Sequence, residues 1–289
     1  MSDIQSPFLS KSWLENCGNG GFVFNEKCAL YKTSLKGVSA IFTPPWALDC
    51  GLTLDLNDDT HYSYFIEELK NRPENYLTVD LPPCSDDSAK GISTAIVKQY
   101  TPNDFRIQWR HTRISSLPAT LPSNRRKQVK KAEREGISCE VVRDWKNVKL
   151  LHEESRNRKD VESNIDQLET LLNGICNEDF TFAIEALNKE GECLASGGFV
   201  LTNTNRCVYS FGGQKRGPLS AVASVAMLAF AMEVAQEKGA LEFDFGGSTD
   251  PGVDRFYKEF GAKRIPKPRL IRTAWWLSPI LKVLRPDLS

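Results

Sequence analysis

The chain has 289 residues, of which 40% are hydrophobic, and this is enough to build the cores of two domains of ordinary size. Its 37 basic and 37 acidic residues cancel, so overall charge gives no support to DNA binding or to binding at an anionic membrane. The eight cysteines form no CxxC pair and the three histidines are scattered, which predicts reduced core thiols of a cytoplasmic protein and no metal site.

The sequence also predicts no membrane insertion. The first residues, MSDIQSPFLSKSW, lack the apolar core of a signal peptide. The most apolar helical pattern, residues 221–232, is shorter than the ~20 residues that cross a bilayer.

Periodicity and chain breakers divide the first half into short elements. The predicted order is a strand pair over 21–34, a strand over 38–42, a helix over 62–70, a strand over 76–81, a helix over 85–99 and a strand over 105–114. A basic helix, LPSNRRKQVKKAEREG, follows over 121–136, with Ser123 as N-cap and Gly136 as its end.

The second half has a similar but longer order. We predict a strand over 137–142, helices over 146–158 and 163–176, strands over 180–187, 193–201 and 206–211, a helix over 219–238, a strand over 241–245, a helix over 251–260, a strand over 270–276 and a helix over 279–284. This order predicts an α/β fold with mixed sheets covered by helices. The predicted domains are 1–120 and 137–289, the first being the shorter, and 121–136 is the linking helix.

The stretch FDFGGSTDPGVDRFYKEFGA, residues 243–262, contains the first candidate site residue. Strand alternation places Asp244 on the face opposite to Phe243 and Phe245, at the end of the strand, where open sheets bind ligands. Asp250 is a good N-cap for the next helix. A purely structural strand–turn–helix also explains the segment, with Asp244 capping the glycine turn.

A second stretch, FGGQKRGPLSAVASVAM at 211–227, leads from a strand into a long helix. A helix start carries unpaired N–H groups and a partial positive charge, so it can hold a phosphate or diphosphate. The candidate binding residues are Gln214, Lys215, Arg216, Gly217 and Ser220. The alternative is an ordinary polar loop. No Walker motif and no GxGxxG after a strand is present.

Four segments together resemble the GNAT acyltransferase superfamily in its Fem-type branch, which includes peptidoglycan cross-bridge aminoacyltransferases and cellulose-associated acetyltransferase-like proteins. They are LPSNRRKQVKKAEREGISCEVV, YSFGGQKRGPLSAVASVAMLAFAMEVAQEKGALEFDFGGS, GVDRFYKEFGAKRI and, in the first half, FTPPWALDCGL. The resemblance implies two GNAT-like domains and an acyl-CoA bound on a loop of the form [QR]-x-x-G-x-[GA]. Residues 214–217 match the start of that loop, but Leu219 replaces its small last residue.

The cross-bridge enzymes carry Phe-Lys before Phe-Gly in the third segment, and their lysine is thought to stabilise the charge developing on the carbonyl. Here Phe256 matches the phenylalanine, and Tyr257 stands in the lysine position. Lys258 follows one residue later, about 100° around the helix. The resemblance therefore implies that either Lys258 reaches the site or Tyr257 donates a hydrogen bond instead.

These observations predict the transfer of an acyl group from an acyl-CoA-type co-substrate to a primary amine, with no metal. Asp244 is the expected proton acceptor, directly or through water, and Glu185 is its reserve. The expected oxyanion donor is Tyr257, Lys258 or a sheet N–H. The acceptor is expected to be a small-molecule or nucleotide-linked amine. Its candidate contacts are Lys32, Trp46, Arg125, Arg126 and Tyr209. Core packing is the alternative for Trp46, and a solvated helix face is the alternative for Arg125 and Arg126.

Two alternatives remain open at this point. The six basic residues of the 121–136 helix could contact a tRNA, which would make the protein an aminoacyl-tRNA-dependent transferase, or they could form a solvated face. A non-catalytic scaffold is the other alternative, in which an exposed strand with Trp275 and Trp276 pairs with another chain.

Overall fold

The computed structural model describes residues 6–18, 21–25, 28–35, 37–52, 60–84, 92–158, 164–247 and 250–284. Its strands are β1 (Gly21–Asn25), β2 (Cys28–Leu35), β3 (Val38–Phe42), β4 (Tyr76–Asp80), β5 (Arg106–Ser116), β6 (Ser138–Val142), β7 (Thr181–Leu187), β8 (Cys193–Leu201), β9 (Arg206–Gln214), β10 (Glu242–Asp244) and β11 (Lys263–Thr273). Its helices are α1 (Lys11–Asn16), α2 (Thr60–Lys70), α3 (Thr94–Tyr100), α4 (Ser123–Arg134), α5 (Lys146–Asn157), α6 (Ile165–Ile175), α7 (Ser220–Glu237), α8 (Pro251–Lys258) and α9 (Ser278–Leu284).

The chain forms two compact units that differ in extent from the predicted domains. The first unit comprises Met1–Ser10, Gly18–His111 and Ile265–Ser289, and the second comprises Lys11–Cys17 and Thr112–Arg264. The end of the chain thus returns to the first unit. The predicted linking helix, α4, belongs wholly to the second unit, where it packs on α7.

The first unit is a mixed sheet with helices on both faces. Its strand order is β1-β2-β3-β4-β11, and the β3–β4 pair is parallel while the other pairs are antiparallel. Consecutive strand residues enter different cores: Ile41 and Leu77 pack with α2 and α3, whereas Ala40 and Tyr76 pack with Leu277 and α9. This is the two-residue period of a strand buried on both faces.

The second unit is a mixed sheet with the order β5-β10-β9-β8-β7-β6, in which only the β9–β10 pair is parallel. Helices α4, α7 and α8 contribute to the core on one face. On the other face, Trp13 of α1 stacks on Phe211 with ring centroids 6.1 Å apart, and Trp145, which precedes α5, meets the same ring at 6.4 Å. The predicted mixed α/β fold class is confirmed.

Helix α7 is the one described helix that is long and apolar enough to cross a membrane. However, most of its residues are buried in the core of the second unit, from Ser220 to Ala235. An all-round apolar helix in that position is typical of a protein core.

Most predicted elements are found within a few residues of their expected ends, and β11 is the main exception. We expected a strand over 270–276, but β11 begins at Lys263 and includes Pro266 and Pro268. Both prolines can lie in this strand because they take part in pairing through their carbonyl groups. Pro266 accepts a hydrogen bond from the N–H of Cys84 at 2.7 Å, and Pro268 accepts one from the N–H of Leu81 at 2.9 Å.

Three further differences concern short or terminal segments. Helix α1 was not predicted. The first residues of the predicted 85–99 helix, 85–91, lie outside the described residues, and α3 begins at Thr94. Trp275 and Trp276 follow β11 instead of lying in it, so the predicted exposed strand with these residues is wrong.

Candidate functional site

The end of β9 lies against α5, and two glycines allow this approach. A Cβ atom on Gly213 would lie 2.2 Å from the carbonyl oxygen of Leu151. Gly212 has a φ of +138° and donates its N–H to Nδ1 of His152 at 3.1 Å. Both residues therefore need to be glycine for packing and backbone conformation, whatever ligand the next loop holds.

The predicted donor loop follows directly after these glycines. Gln214 accepts a short hydrogen bond from Ser224 of α7, and Lys215 forms a 2.7 Å ion pair with Glu192. Arg216 is exposed and has no ion-pair partner among the described residues. Of the two loop cations, Arg216 is thus the one available to an anion.

The start of α7 has the properties of an anion site. Its N-cap, Leu219, makes no side-chain cap, and the N–H of Ser220 bonds to the carbonyl oxygen of Gly217 at 3.3 Å. The N–H groups of Ala221 and Val222 have no hydrogen-bond partner in the described part of the chain. These N–H groups and the helix dipole favour a negative charge. Ser220 itself is buried.

Strands β9 and β10 separate close to this loop. Their parallel pairing ends at Asp244 and Val208, and β9 continues without a β10 partner among the described residues. The β8–β9 register skips Ser210, and this places Tyr209 in the core beside α7 but Phe211 on the opposite face. One edge of β9 is therefore unpaired next to the start of α7.

Two tyrosines lie near this separation. Tyr209 stacks on Phe199 at 5.3 Å, and Tyr257 of α8 stacks on Phe245 at 5.0 Å. Burial raises the pKa of both hydroxyl groups, and the neighbouring Tyr209 and Asp244 raise the pKa of Tyr257 further. Both side chains therefore keep their protons at neutral pH, so they can donate hydrogen bonds and are poor bases.

Asp244 is buried and has several partners. Its Oδ1 accepts a short hydrogen bond from Thr112 and another from the N–H of Gly246 at 2.9 Å, while Oδ2 lies 3.7 Å from Nε of Arg206. The bond from Gly246 is the turn-capping contact given above as the structural alternative. Asp244 thereby joins β5, β9 and the turn after β10.

Glu185, the reserve base, lies apart from the two tyrosines. It is on β7, two strands from β9, and accepts two hydrogen bonds of 3.0 Å from Asn147. Burial raises its pKa, the bonds from Asn147 lower it, and the nearby Glu140 and Asp144 raise it. The structure does not bring Glu185 together with Asp244.

Lys258 is exposed, and Asp254, which lies four residues before it on the helix, pairs with another residue. Asp254 forms two hydrogen bonds with Arg113, at 2.8 and 2.7 Å. Arg255 pairs with Glu259, four residues later, at 3.3 Å. Tyr257, in the preceding position, is buried against Phe245, while Lys258 is exposed to solvent.

Arg125 is buried, which corrects the expectation that it contacts a phosphate. Its Nη2 donates to the carbonyl oxygen of Phe256 at 2.7 Å, and its guanidinium lies over the rings of Phe256 and Phe260 at 4.4 and 4.6 Å. Glu259 completes the environment at 3.3 Å. These contacts give Arg125 a structural role: it fixes α8 to α4.

The remaining cations of α4 form an exposed basic face. At 100° per residue they occupy one side of the helix, opposite the buried Arg125 and Ala132. This α4 basic face consists of Arg126, Lys127, Lys130, Lys131 and Arg134.

The two predicted substrate contacts of the first unit have different surroundings. Lys32 forms a 3.0 Å ion pair with Glu74, whose side chain is buried. Trp46 is half-buried and has a φ of +64°, a left-handed conformation that is uncommon for a residue other than glycine.

His152 was missed by the sequence analysis. Burial, and then the charge of Arg156, lower its pKa to about 4, so the ring is neutral at neutral pH. Because Nδ1 accepts the N–H of Gly212, the ring proton is on Nε2. The available signal was its position on the apolar face of α5, next to Leu151.

The described residues contain neither a cluster of metal-ligating side chains nor a disulfide. Among the described residues, no three or more His, Cys, Asp and Glu side chains are grouped to hold a metal ion. All eight cysteines lie within the described ranges and none forms a disulfide.

Comparison with known proteins shows the fold. No family model and no curated protein sequence matches this chain. The structure is similar to FemX, with a TM-score of 0.67, 13% identity and coverage of 95% of this chain and 93% of that chain.

Two other solved structures give comparable similarity. L-PGS from Bacillus licheniformis has a TM-score of 0.60 at 12% identity, covering 93% of this chain and 90% of its own. The third structure is assigned as the C-terminal domain of a lysylphosphatidylglycerol synthetase from Agrobacterium fabrum. It has a TM-score of 0.59 at 12% identity, and the similarity covers 93% of this chain and 88% of that chain. The chain therefore shares its fold with these structures, FemX among them, as the Fem-type resemblance implied.

Proposed function

We propose that the second unit transfers an acyl group from an acyl-CoA-type thioester to a primary amine. The observation that carries this proposal is the uncapped start of α7 beside the unpaired edge of β9. The diphosphate of the donor would lie on the N–H groups of Ala221 and Val222 and on Arg216. The acyl chain would follow the β9 edge toward the tyrosines.

In the reaction, the amine nitrogen attacks the thioester carbonyl and forms the new C–N bond. The C–S bond then breaks, and the proton lost by the amine ends on the sulfur of the leaving thiolate. Tyr257, which stays protonated, would donate a hydrogen bond to the developing oxyanion. Asp244 already accepts hydrogen bonds from Thr112 and from the N–H of Gly246, so we assign it a positioning role. We propose that a water molecule accepts the amine proton and passes it on.

A binding experiment tests the donor. We expect acetyl-CoA and free CoA to raise the melting temperature of the wild type, since a ligand that binds the folded state stabilises it. Arg216→Glu should weaken CoA binding about tenfold, through loss of a charge-assisted contact. The exposed Arg143→Glu is the matched control and should bind CoA as the wild type does. A wild type that no CoA compound stabilises contradicts the proposal.

A kinetic experiment tests the role of Tyr257. Release of thiol from acetyl-CoA is followed with a panel of primary amines. Tyr257→Phe should lower kcat by about 10²-fold with little change in KM, as expected when an oxyanion donor is removed. Equal loss in kcat for Tyr257→Phe and for Lys258→Met would contradict this assignment.

The α4 basic face favours a second candidate, transfer from an aminoacyl-tRNA. Five exposed cations on one side of a helix would contact nucleic-acid phosphates in a strongly salt-dependent way. If tRNA but not CoA stabilises the protein, and Lys127→Gln with Lys130→Gln weakens that effect, this candidate replaces the first. If neither binds, the non-catalytic scaffold is supported. With either donor we propose a cytoplasmic location, because both occur there.

A further inference from the structure

A cluster of charged side chains in the first unit surrounds Asp80, the buried last residue of β4. Arg269 of β11 donates from Nε to Oδ1 at 3.0 Å and from Nη2 to Oδ2 at 2.7 Å. Arg110 of β5 donates to Oδ1 at 3.2 Å. The carboxylate of Asp80 is thus already occupied by two guanidinium groups.

Lys267 adds a third cation to this cluster, and it is itself 8% exposed. Its Nζ donates to the carbonyl oxygen of Leu48 at 2.5 Å. Among the described residues it has no carboxylate within ion-pair distance, so two of its three N–H donors are unused. A buried ammonium group without a counter-ion is costly.

The charges of this cluster do not balance. Burial raises the pKa of Asp80, but Arg269, Lys267 and Arg110 outweigh burial and hold it below the ordinary value, so Asp80 is ionised. Among the described residues, three cations therefore share one carboxylate. The nearby Asp49 is also buried and accepts the N–H of Gly51, and if it is counted the described part of the cluster still carries one excess positive charge.

The loop that meets Lys267 is strained. Leu48 lies two residues after Trp46, whose φ of +64° costs of order 1–3 kcal/mol relative to an ordinary conformation. Strain of this kind is concentrated at ligand sites. Here it lies in the loop that accepts the one hydrogen bond of the buried ammonium group.

We propose that Lys267, Arg110 and Arg269, with the loop around Trp46, form a binding site for the anionic group of a small molecule, either a carboxylate or a phosphate. Arg110, whose side chain is 37% exposed, offers its unused N–H groups at the surface. Lys267, which acts on the same carboxylate of Asp80, would add its buried ammonium group. This site belongs to the first unit and is independent of the donor proposed for the second.

Titration of the full-length protein with inorganic phosphate and, separately, with acetate tests the site. Binding is measured by calorimetry, and sodium chloride at equal ionic strength serves as the salt control. We expect at least one of the two anions to bind, and Lys267→Met and Arg110→Gln each to raise its Kd about tenfold, since a charge-assisted hydrogen bond is lost. Lys146→Met and Arg143→Gln remove exposed charges elsewhere and should leave the Kd unchanged.

The two anions distinguish the ligand classes. Binding of phosphate alone identifies a phosphate-bearing ligand, and binding of acetate alone identifies a carboxylate. Lys267→Met should also be at least as stable as the wild type without anions, because it relieves repulsion among the three cations. The proposal is overturned if neither anion binds, or if the Arg110→Gln protein, which needs no core rearrangement, binds as well as its Arg143→Gln control.

Discussion

Two aspartates of this protein end a strand and are buried, yet their surroundings are opposite in kind. Asp244, in the second unit, is held by a hydroxyl group, a backbone N–H and one more distant guanidinium. Asp80, in the first unit, is held by two guanidinium groups with an ammonium group nearby. The first arrangement satisfies the carboxylate with hydrogen bonds, whereas in the second the cations outnumber the carboxylates among the described residues. The position of an aspartate at the end of a strand therefore does not show whether it has a structural role, as proposed for Asp244, or belongs to a ligand site, as proposed for Asp80.

The largest expected effect is that of Asp80→Asn. The substitution leaves three clustered cations without their carboxylate, which should lower the free energy of unfolding by about 3–5 kcal/mol. Urea unfolding measures it, with the exposed Asp104→Asn as control, expected within about 0.5 kcal/mol of the wild type. Adding Lys267→Met should recover part of the loss. If the changes in unfolding free energy of the two single variants simply add in the double variant, Lys267 does not interact with Asp80 and is not part of the cluster.

Low pH should remove the difference in stability between the wild type and Asp80→Asn. The pKa of Asp80 is lowered from 3.8, so its stabilising contribution is fully present above 3.8 and is lost as the pH falls through the lowered value. The gap in unfolding free energy between wild type and Asp80→Asn should be constant at higher pH and should close in strong acid. A gap that instead closes between neutral pH and pH 5 contradicts the ion-pair assignment.

Asp244→Asn should have a smaller effect. An asparagine still offers one oxygen to Thr112 and Gly246, so the loss is mainly the charge facing Arg206, about 1–3 kcal/mol. Glu242→Gln, on the same strand but exposed, should be nearly neutral. If Asp244→Asn keeps its stability and loses activity, Asp244 acts in catalysis and its predicted role as base is supported over positioning.

Thr112→Val tests the hydroxyl contact and should have the smallest effect. The shape is kept and one hydrogen bond to Asp244 is lost, so the expected destabilisation is about 1 kcal/mol. The exposed Thr120→Val is the control in the same unfolding experiment. A loss as large as that of Asp244→Asn would mean that the hydroxyl group provides most of the support for this carboxylate.

The sequence predicted much of the second unit's candidate site and little of the first unit's cluster. Alternation placed Asp244 opposite Phe243 and Phe245, and the long helix after Arg216 began where expected. Lys267 and Arg269 were not singled out, because their partners are Leu48 and Asp80, about two hundred residues earlier in the chain. No local pattern records a contact of that sequence separation.

By itself, the sequence determined the elements, the mixed α/β class and the helix start that can bind an anion, because these depend on the periods of 2 and 3.6 residues and on local turn chemistry. Only the tertiary structure decided which charged side chains are buried and which residues they contact. It turned Arg125 inward over Phe256, returned β11 to the first unit and buried Lys267 with a backbone carbonyl as its hydrogen-bond partner. The cost of burying a charge depends on every neighbour in space, and those neighbours come from distant parts of the chain.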